Sequence, residues 1–366
     1  LDEGINVIEG RASFVGPRTV VVNGEEFEGR HVILATGSRA SVPPVAGLED
    51  VQFLTNESIF ALPELPKTLG VLGAGPVGVE MAQAFARLGS KVTLIERMDR
   101  VLPLLAPEVH DILVPALTAD GVDVRTGVSV QEVRESELGL VVRLPGEDID
   151  VEQLLVAAGR VPNTADLHLD LAGVTTDETG LIVVDRAQRT RAAGVFAVGD
   201  CCLYGGLTHI ALYQAYVAVT NATVPFRRRV PVKYPAEFVP SAVFTDPEVA
   251  TIGLSQSADE SHRSSIVFNS EIDRAIIAGR VEGFAKIVAQ PRRGTGMRYG
   301  GRIVGATVVG PRAADTLQEA VVAMQSGAFT GRIAQAMHPY PSWGQALQMA
   351  ALRIVQNEGV LEDVGQ

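Results

Sequence analysis

Residues 69–78 constrain the fold more than any other stretch. Leu69-Gly70-Val71-Leu72 is an apolar run of strand type. Gly73-Ala74-Gly75-Pro76-Val77-Gly78 follows at once, and a helical run over 77–88 ends where Gly89 can cap it. Each glycine has its own task. Gly73 makes the tight turn, Gly75 lets backbone approach a pyrophosphate, and Gly78 lets helix and strand pack closely. Free N–H groups at the helix start, together with its dipole, favour an anion there. The next strand, Lys91–Ile95, ends at Glu96, roughly 20 positions on, where a carboxylate meets ribose hydroxyls. A lone GxGxxG is weak evidence. Followed by a strand and a carboxylate, it reads as a dinucleotide turn. Glu96 favours NAD, because a carboxylate repels a 2′-phosphate, while the nearby Arg97 and Arg100 leave NADP open.

Around this unit the chain changes texture. Val20-Val21-Val22 and His31-Val32-Ile33-Leu34-Ala35, running into Thr36-Gly37, read as short strands. Leu62-Pro63-Glu64-Leu65-Pro66 is a connector. From 67 to about 183, buried-type strands such as Gln153–Ala157 alternate with helical segments, as a parallel sheet demands. One more strand, Gly194–Val198, and an Ala-rich helix from His209 to Asn221 follow. A second connector, Pro225-Phe226-Arg227-Arg228-Arg229-Val230-Pro231, reads as a solvated linker. Beyond 236 strands come consecutively (238–244, 250–254, 283–289, 302–309), then helices at 313–327 and 344–356. That order is α+β. Gly294–Gly301 reads as a mobile hairpin extension.

Composition narrows the class. The 366 residues are 46% hydrophobic with 37 glycines, which gives room for two or three domains with ample core. A net charge of −12 argues against nucleic-acid or anionic-membrane partners. No apolar run reaches the ~18 residues of a membrane span. Two cysteines cannot build a disulfide framework, which suits a cytoplasmic setting. No metal site is read from the sequence.

These motifs resemble the pyridine nucleotide–disulfide oxidoreductases of the lipoamide dehydrogenase, glutathione reductase and mercuric reductase group. Ala35-Thr36-Gly37-Ser38 is similar to the family's ATG turn, Gly73–Gly78 with Glu80 to its GxGxxGxE, and Gly159-Arg160-Val161-Pro162-Asn163 to its GRxPN. Thr190–Asp200 resembles its second flavin motif, and Thr208-His209, Phe244–Glu248 and Val304-Gly305-Ala306 fall in family order. The resemblance implies an α/β fold with doubly wound nucleotide-binding domains, the FAD part incomplete and the NAD part complete, plus a C-terminal α+β dimerisation domain. It places remainder of the FAD domain at 1–65 and 184–232, the NAD(P) domain at 66–183 and the interface domain at 236–366.

The same resemblance assigns roles. Ala35, Thr36, Gly37 and Gly199 belong to flavin turns, and Asp200 would accept a hydrogen bond from the flavin ribityl chain. Backbone at Leu207, Thr208 and His209 would face the flavin ring. Glu80 would lie beside the nicotinamide, and Gly159 with Arg160 would approach that side of the cleft. Residues 237–366 would form a homodimer interface and complete the partner subunit's site.

The chain also departs from the pattern. No Cys-x4-Cys occurs; the family's flavin strand and redox cysteines are expected ahead of Leu1, and the adjacent Cys201 and Cys202 read as a buried spacer. The family's His-x-His-Pro-Thr-x-x-Glu becomes His338-Pro339-Tyr340-Pro341-Ser342-Trp343-Gly344-Gln345. Tyr340 then stands where the catalytic His belongs and Gln345 where its carboxylate belongs. The register that puts His338-Pro339 on His-Pro places no carboxylate. A tyrosine with a pKa of about 10 is a poor base near neutrality, so dihydrolipoamide oxidation is disfavoured. The ending Leu361–Gln366 carries no cysteine pair of the mercuric reductase kind. The expected function is an FAD-dependent NAD(P)H oxidoreductase that passes electrons to a small molecule: a quinone, dye, second nucleotide or disulfide. A mercuric- or lipoamide-type disulfide reductase is the alternative. A non-catalytic NAD-binding or interaction protein is the alternative from another class.

Overall fold

The structure is a computed structural model that describes residues 4–137, 139–223, 231–256 and 261–357. It forms two compact units. Residues up to 39 cluster with 160–236, and residues 40–159 cluster with those from 237 onward. This grouping by contact differs from the expected division at 65/66 and 183/184, and burial explains the grouping. Leu54 and Ile59 join the core of Val71 and Leu155, and Leu48 joins that of Val133 and Val142. Leu169, Val174 and Ile182 instead pack with Phe14 and Val195.

The first unit opens with an antiparallel meander of β1 (Ala12–Gly16), β2 (Thr19–Val22) and β3 (Glu25–Glu28), followed by β4 (Val32–Leu34) and β5 (Ser38–Ala40). The chain enters the second unit at residue 40 and continues there with β6 (Thr68–Leu72), α1 (Pro76–Leu88), β7 (Lys91–Ile95), α2 (Pro107–Ala119) and β8 (Val122–Arg125). Next come β9 (Glu132–Ser136), β10 (Gly139–Leu144), β11 (Glu147–Val151) and β12 (Gln153–Val156). It returns to the first unit with β13 (Arg160–Pro162), β14 (Val195–Ala197) and α3 (Thr208–Thr223), where β14 pairs in parallel with β4.

The second unit's parallel sheet has the order β12-β6-β7-β8. Leu69, Val71, Val92, Leu94, Leu154 and Leu155 are fully buried, as strands covered on both faces require. Pro76 pre-sets the first turn of α1, and Gly89, at φ 113°, ends it with an N–H to Ala86 O at 3.0 Å. Strand–helix alternation does not continue to 183. Strands β9, β10 and β11 form an antiparallel meander, β11-β10-β9, in which Leu140, Val141, Val142 and Leu144 of the central strand are buried and the flanking strands carry charge. Arg143 bridges Glu132 and Asp148 across it.

The C-terminal part contains β15 (Pro240–Val243), β16 (Val249–Gly253), β17 (Arg263–Phe268), α4 (Asp273–Ala278), β18 (Phe284–Gln290) and β19 (Arg302–Val309), then α5 (Ala313–Gln325), α6 (Thr330–Gln335) and α7 (Gln345–Gln356). Its sheet is antiparallel, β15-β16-β19-β18-β17. The consecutive strands expected from sequence gain a fifth, β17, and the short α4. Leu317, Ala320, Leu347, Ala350 and Ile354 of α5 and α7 cover one face, against Ile252, Ile287 and Ala306. Val249, Phe284 and Val309 join the core of Leu113 and Leu117 instead. The arginine connector at 227–229 and the ending at 361–366 lie outside the described residues. Among the described residues no helix is long and apolar enough to cross a membrane.

One ion pair crosses from α2 to this sheet. Lys286 Nζ donates to Glu108 Oε1 at 2.7 Å, and the lysine side chain is only 6% exposed. An ammonium buried this far loses its hydration and needs the carboxylate. Glu108→Gln should destabilise the protein by about 3–5 kcal/mol in urea unfolding. Adding Lys286→Met should recover most of that loss; a double variant as unstable as the single would show that the pair does not bear the charge.

Candidate functional site

The β6–α1 turn is built from backbone contact. Gly73 sits at φ 106°, and a Cβ on Gly78 would lie 1.8 Å from Gly73 O. A Cβ on Gly73 would lie 2.6 Å from Ala157 O, at the end of β12. Nothing stands within 4 Å of the Cβ position of Gly75. The turn is therefore tight towards the sheet and open in front of the helix start, which is the shape a pyrophosphate fits. Glu96 fixes it from the side. Its Oε2 accepts the Ala74 N–H at 2.7 Å and its Oε1 the Met98 N–H at 2.8 Å. Arg100 is turned to Asp99 at 3.4 Å.

The polar stripe of α1 has a second task. Glu80 Oε1 accepts the Phe244 N–H at 2.7 Å. Gln83, 4% exposed, accepts the Asp246 N–H and donates to Asp246 O, both at 2.7 Å, and also donates to Asp120 at 2.8 Å. Arg87 bridges Asp120 and Asp246 at 2.9 and 3.0 Å, and Arg280 holds the other oxygen of Asp246. Burial pushes the Asp246 carboxyl up, but Arg280 and Arg87 outweigh it and hold the group below the ordinary carboxylate range. A cavity of about 410 Å³ opens beside this loop, lined by Phe244, Asp246, Glu248 and Arg312. Glu80 was singled out through the family resemblance. Gln83 and Arg87, three and seven residues further along the same helical face, carried a signal that went unused.

In the first unit the predicted flavin turns converge. Asp200 Oδ2 accepts the Ser38 hydroxyl at 2.9 Å, and Oδ1 accepts the Gly206 N–H at 3.1 Å. Arg160 donates to Ser38 Oγ at 2.6 Å and lies 3.5 Å from Asp200. Asn163 Nδ2 donates to Thr36 O at 3.0 Å, and the Asn163 N–H to Gly37 O at 2.9 Å. Gly199 N–H meets the buried Gln214 Oε1 at 2.7 Å. The Cβ positions of Gly37 and Gly206 face open space, and Ala35, Leu207, Thr208 and His209 are at least partly exposed at the same turns. Gly159 belongs to the other unit, where its O accepts the Ser41 N–H at 2.9 Å.

Cys201 and Cys202 are buried and unbridged. Cys201 is the more acidic of the two: the Cys202 thiol and the Thr36 and Gly37 amides support its sulfur, while Cys201 and burial push Cys202 up. Among the described residues no cluster of His, Cys, Asp and Glu would hold a metal ion.

At the C-terminal end Tyr340 and Gln345 do not pair with each other. The Tyr340 hydroxyl donates to Asp273 at the start of α4, which pushes the phenol above its ordinary range. Gln345 Oε1 accepts the Ser342 N–H at 3.1 Å. The carboxylate that the His338 register lacks in sequence is supplied from α5: His338 Nε2 meets Glu319 at 2.9 Å and Nδ1 meets Ala336 O at 3.0 Å. No local spacing reveals that pair, because 19 residues separate its members.

Residues 1–221 match the pyridine nucleotide-disulphide oxidoreductase family, and residues 239–351 match its dimerisation domain. The chain belongs to the pyridine nucleotide-disulphide oxidoreductases. That family uses FAD and NAD(P)H. Relatives include a mercuric reductase of Staphylococcus aureus, 30% identical over 95% of this chain and 63% of that protein, and one of Bacillus cereus, 32% identical over 96% and 55%. A dihydrolipoyl dehydrogenase of Thermus scotoductus is 35% identical over 95% of this chain and 75% of its own length. The chain thus spans less than two thirds of the length of these mercuric reductases. In structure it is similar to the HOCl-induced flavoprotein disulfide reductase RclA from Escherichia coli, with a TM-score of 0.82, 27% identity and coverage of 95% and 79%.

Two outcomes follow from the turn and its clamp. Gly78→Ala must displace backbone and should lower stability by about 1–3 kcal/mol, with dinucleotide binding lost more steeply; unfolding and titration read the two effects separately. Asp246 is depressed in the folded state, so its contribution is full above the unfolded carboxylate range near pH 4 and disappears as acid passes through the lowered value. Asp246→Asn should therefore flatten the acid limb of stability against pH, and an unchanged acid limb would remove Asp246 from that role.

Proposed function

We propose that this protein acts as an FAD-dependent NAD(P)H oxidoreductase, with NAD preferred. When bound, the flavin supplies the capacity to take a hydride from a nicotinamide and give electrons onward. The observation that carries the proposal is the β6–α1 turn, closed towards the sheet by Gly73 and Gly78, open at Gly75 and fixed by Glu96. Pyrophosphate would meet the free N–H groups that open α1. The ribose hydroxyls would donate to Glu96, whose carboxylate disfavours a 2′-phosphate. Glu80, held by the Phe244 N–H, would present its remaining oxygen beside the nicotinamide.

On the flavin side, Ala35, Thr36, Gly37 and Gly199 would line the turns. Asp200 would accept a ribityl hydroxyl on a lone pair not taken by Ser38 or Gly206. Backbone at Leu207, Thr208 and His209, where α3 starts, would face the ring, and Gly159 with Arg160 would flank the cleft. The dimerisation-domain match supports a homodimer, in which residues 237–366 would complete the partner's site.

The proton chemistry favours an acceptor other than a dithiol. Tyr340 keeps its proton on a bond to Asp273, so it donates hydrogen bonds but is a poor base. Gln345 carries no charge, and His338 has both ring nitrogens engaged. A quinone, dye or second nicotinamide needs no thiol proton shuttle. These acceptors are favoured over lipoamide.

The test is the visible spectrum of the purified protein supplied with FAD, followed by anaerobic NADH. Flavin bands that bleach on NADH, with faster turnover on a quinone than on dihydrolipoamide, are expected. A colourless protein that still binds NADH would leave a dinucleotide-binding scaffold in place of the oxidoreductase.

A further inference from the structure

The hairpin between β18 and β19 concentrates positive charge on an acidic protein. Residues 290–302 contain Arg292, Arg293, Arg298 and Arg302 and no Asp or Glu, in a chain of net charge −12. The segment read from sequence as a mobile extension is hydrogen-bonded and docked. Arg292 and Gly296 exchange backbone hydrogen bonds at 2.8 Å, and Met297 packs against the core of the C-terminal sheet. Gly300 leaves no room for a side chain, since a Cβ there would lie 2.9 Å from the Thr330 Cβ. Thr330 also donates its hydroxyl to Gly300 O at 3.0 Å and its N–H to Gly301 O at 2.9 Å.

On this base the arginines surround two rings. The guanidinium carbons of Arg292 and Arg332 lie 5.0 and 5.2 Å from the Phe329 ring centre. Arg298 lies 5.0 Å from the Tyr299 ring, and the two rings are 5.8 Å apart. Arg302 is bridged to Phe329 through the backbone. Elsewhere in the same unit, arginines such as Arg87, Arg280 and Arg353 hold carboxylates. Among the described residues, Arg292, Arg298, Arg302 and Arg332 hold none. Stacking on a ring fixes the guanidinium plane but leaves its edge N–H donors outward. The one hydrogen bond these four side chains make among the described residues is Arg298 to the Tyr299 hydroxyl at 3.2 Å.

We propose that this hairpin and the start of α6 form a binding site for a nucleoside diphosphate. Arg292, Arg298 and Arg332 take the phosphates, whose oxygens match the guanidinium fork. Tyr299, 49% exposed, offers its ring to the base. A compact ligand fits better than a nucleic acid. Outside this patch the protein is more acidic still, so a long polyanion would be repelled as soon as it passed the hairpin. The site is independent of the proposed dinucleotide turn at Gly73–Gly78.

The experiment is calorimetric titration of the purified protein with ADP and with inorganic pyrophosphate, in excess NADH so that the turn site is filled. ADP should bind more tightly than pyrophosphate, and each arginine replaced by Gln should weaken it about tenfold. Arg292→Gln/Arg332→Gln is the main variant. Arg298→Gln serves as a second should the double change alter thermal unfolding. NADH binding, measured in parallel without ADP, should be the same in every variant, so a failure of the turn assignment shows in NADH and a failure here shows in ADP. ADP binding that is absent, or indifferent to all three arginines, overturns the proposal. So does a single-stranded oligonucleotide that binds these arginines more tightly than ADP, which would assign the patch to nucleic acid.

Discussion

The second unit depends on the fact that α1 is packed on two sides by different kinds of contact. Towards the sheet the contact is backbone on backbone, permitted only because Gly78 has no Cβ to strike Gly73 O. Towards the C-terminal sheet it is polar. Glu80, Gln83 and Arg87 meet the loop that joins β15 to β16. Gln83 is buried with both ends of its amide satisfied, and an amide buried without partners would cost several kcal/mol. Such a contact has one geometry or none. The helix start that would face the pyrophosphate is therefore positioned by strands about 170 residues later in the chain, which joins the dinucleotide turn to the C-terminal sheet as one mechanical body.

The first unit uses a carboxylate in the same way. Asp200 gathers a hydroxyl from Ser38, an N–H from Gly206 and the charge of Arg160, so three separate chain segments are drawn to one point. Ionised oxygens accept several donors at once, and a flavin hydroxyl would be one further donor to a group already fixed. The buried Gln214 holds Gly199 from behind. The turns that resemble flavin motifs are thus set by side chains that no part of the motif names.

How much was legible follows from the range of each interaction. β6, β7 and α1 were read almost to the residue, because apolar runs, Pro76 and Gly89 are local signals. Glu96 was singled out because it ends a strand after the glycine turn, and Asp200 because it closes a stretch that resembles a flavin motif. The grouping into two compact units was not legible, since the burial of Leu54 against Leu155 or of Ile182 against Phe14 is decided by distant partners. The meander at 132–151 was hidden by its high charge, which reads as surface until Arg143 is seen bridging strands. Gln83, Arg87, Asp273 and Glu319 escaped for the same reason, since each acts on a residue far away in sequence.

The C-terminal segment shows how one substitution redistributes proton chemistry. A histidine with a free nitrogen and a carboxylate behind it is a base near neutrality. Here the histidine present, His338, has its nitrogens consumed by Glu319 and the Ala336 carbonyl. The exposed position belongs to Tyr340, whose hydroxyl is tied to Asp273. The carboxylates remain in the region, each matched to a partner on another element, Glu319 to His338 and Asp273 to Tyr340. A tyrosine held in this way donates a hydrogen bond but is a poor base, and on that difference rests the proposed preference for an acceptor other than a dithiol. Under that proposal the acceptor would take up its own protons, as quinones and dyes do from water.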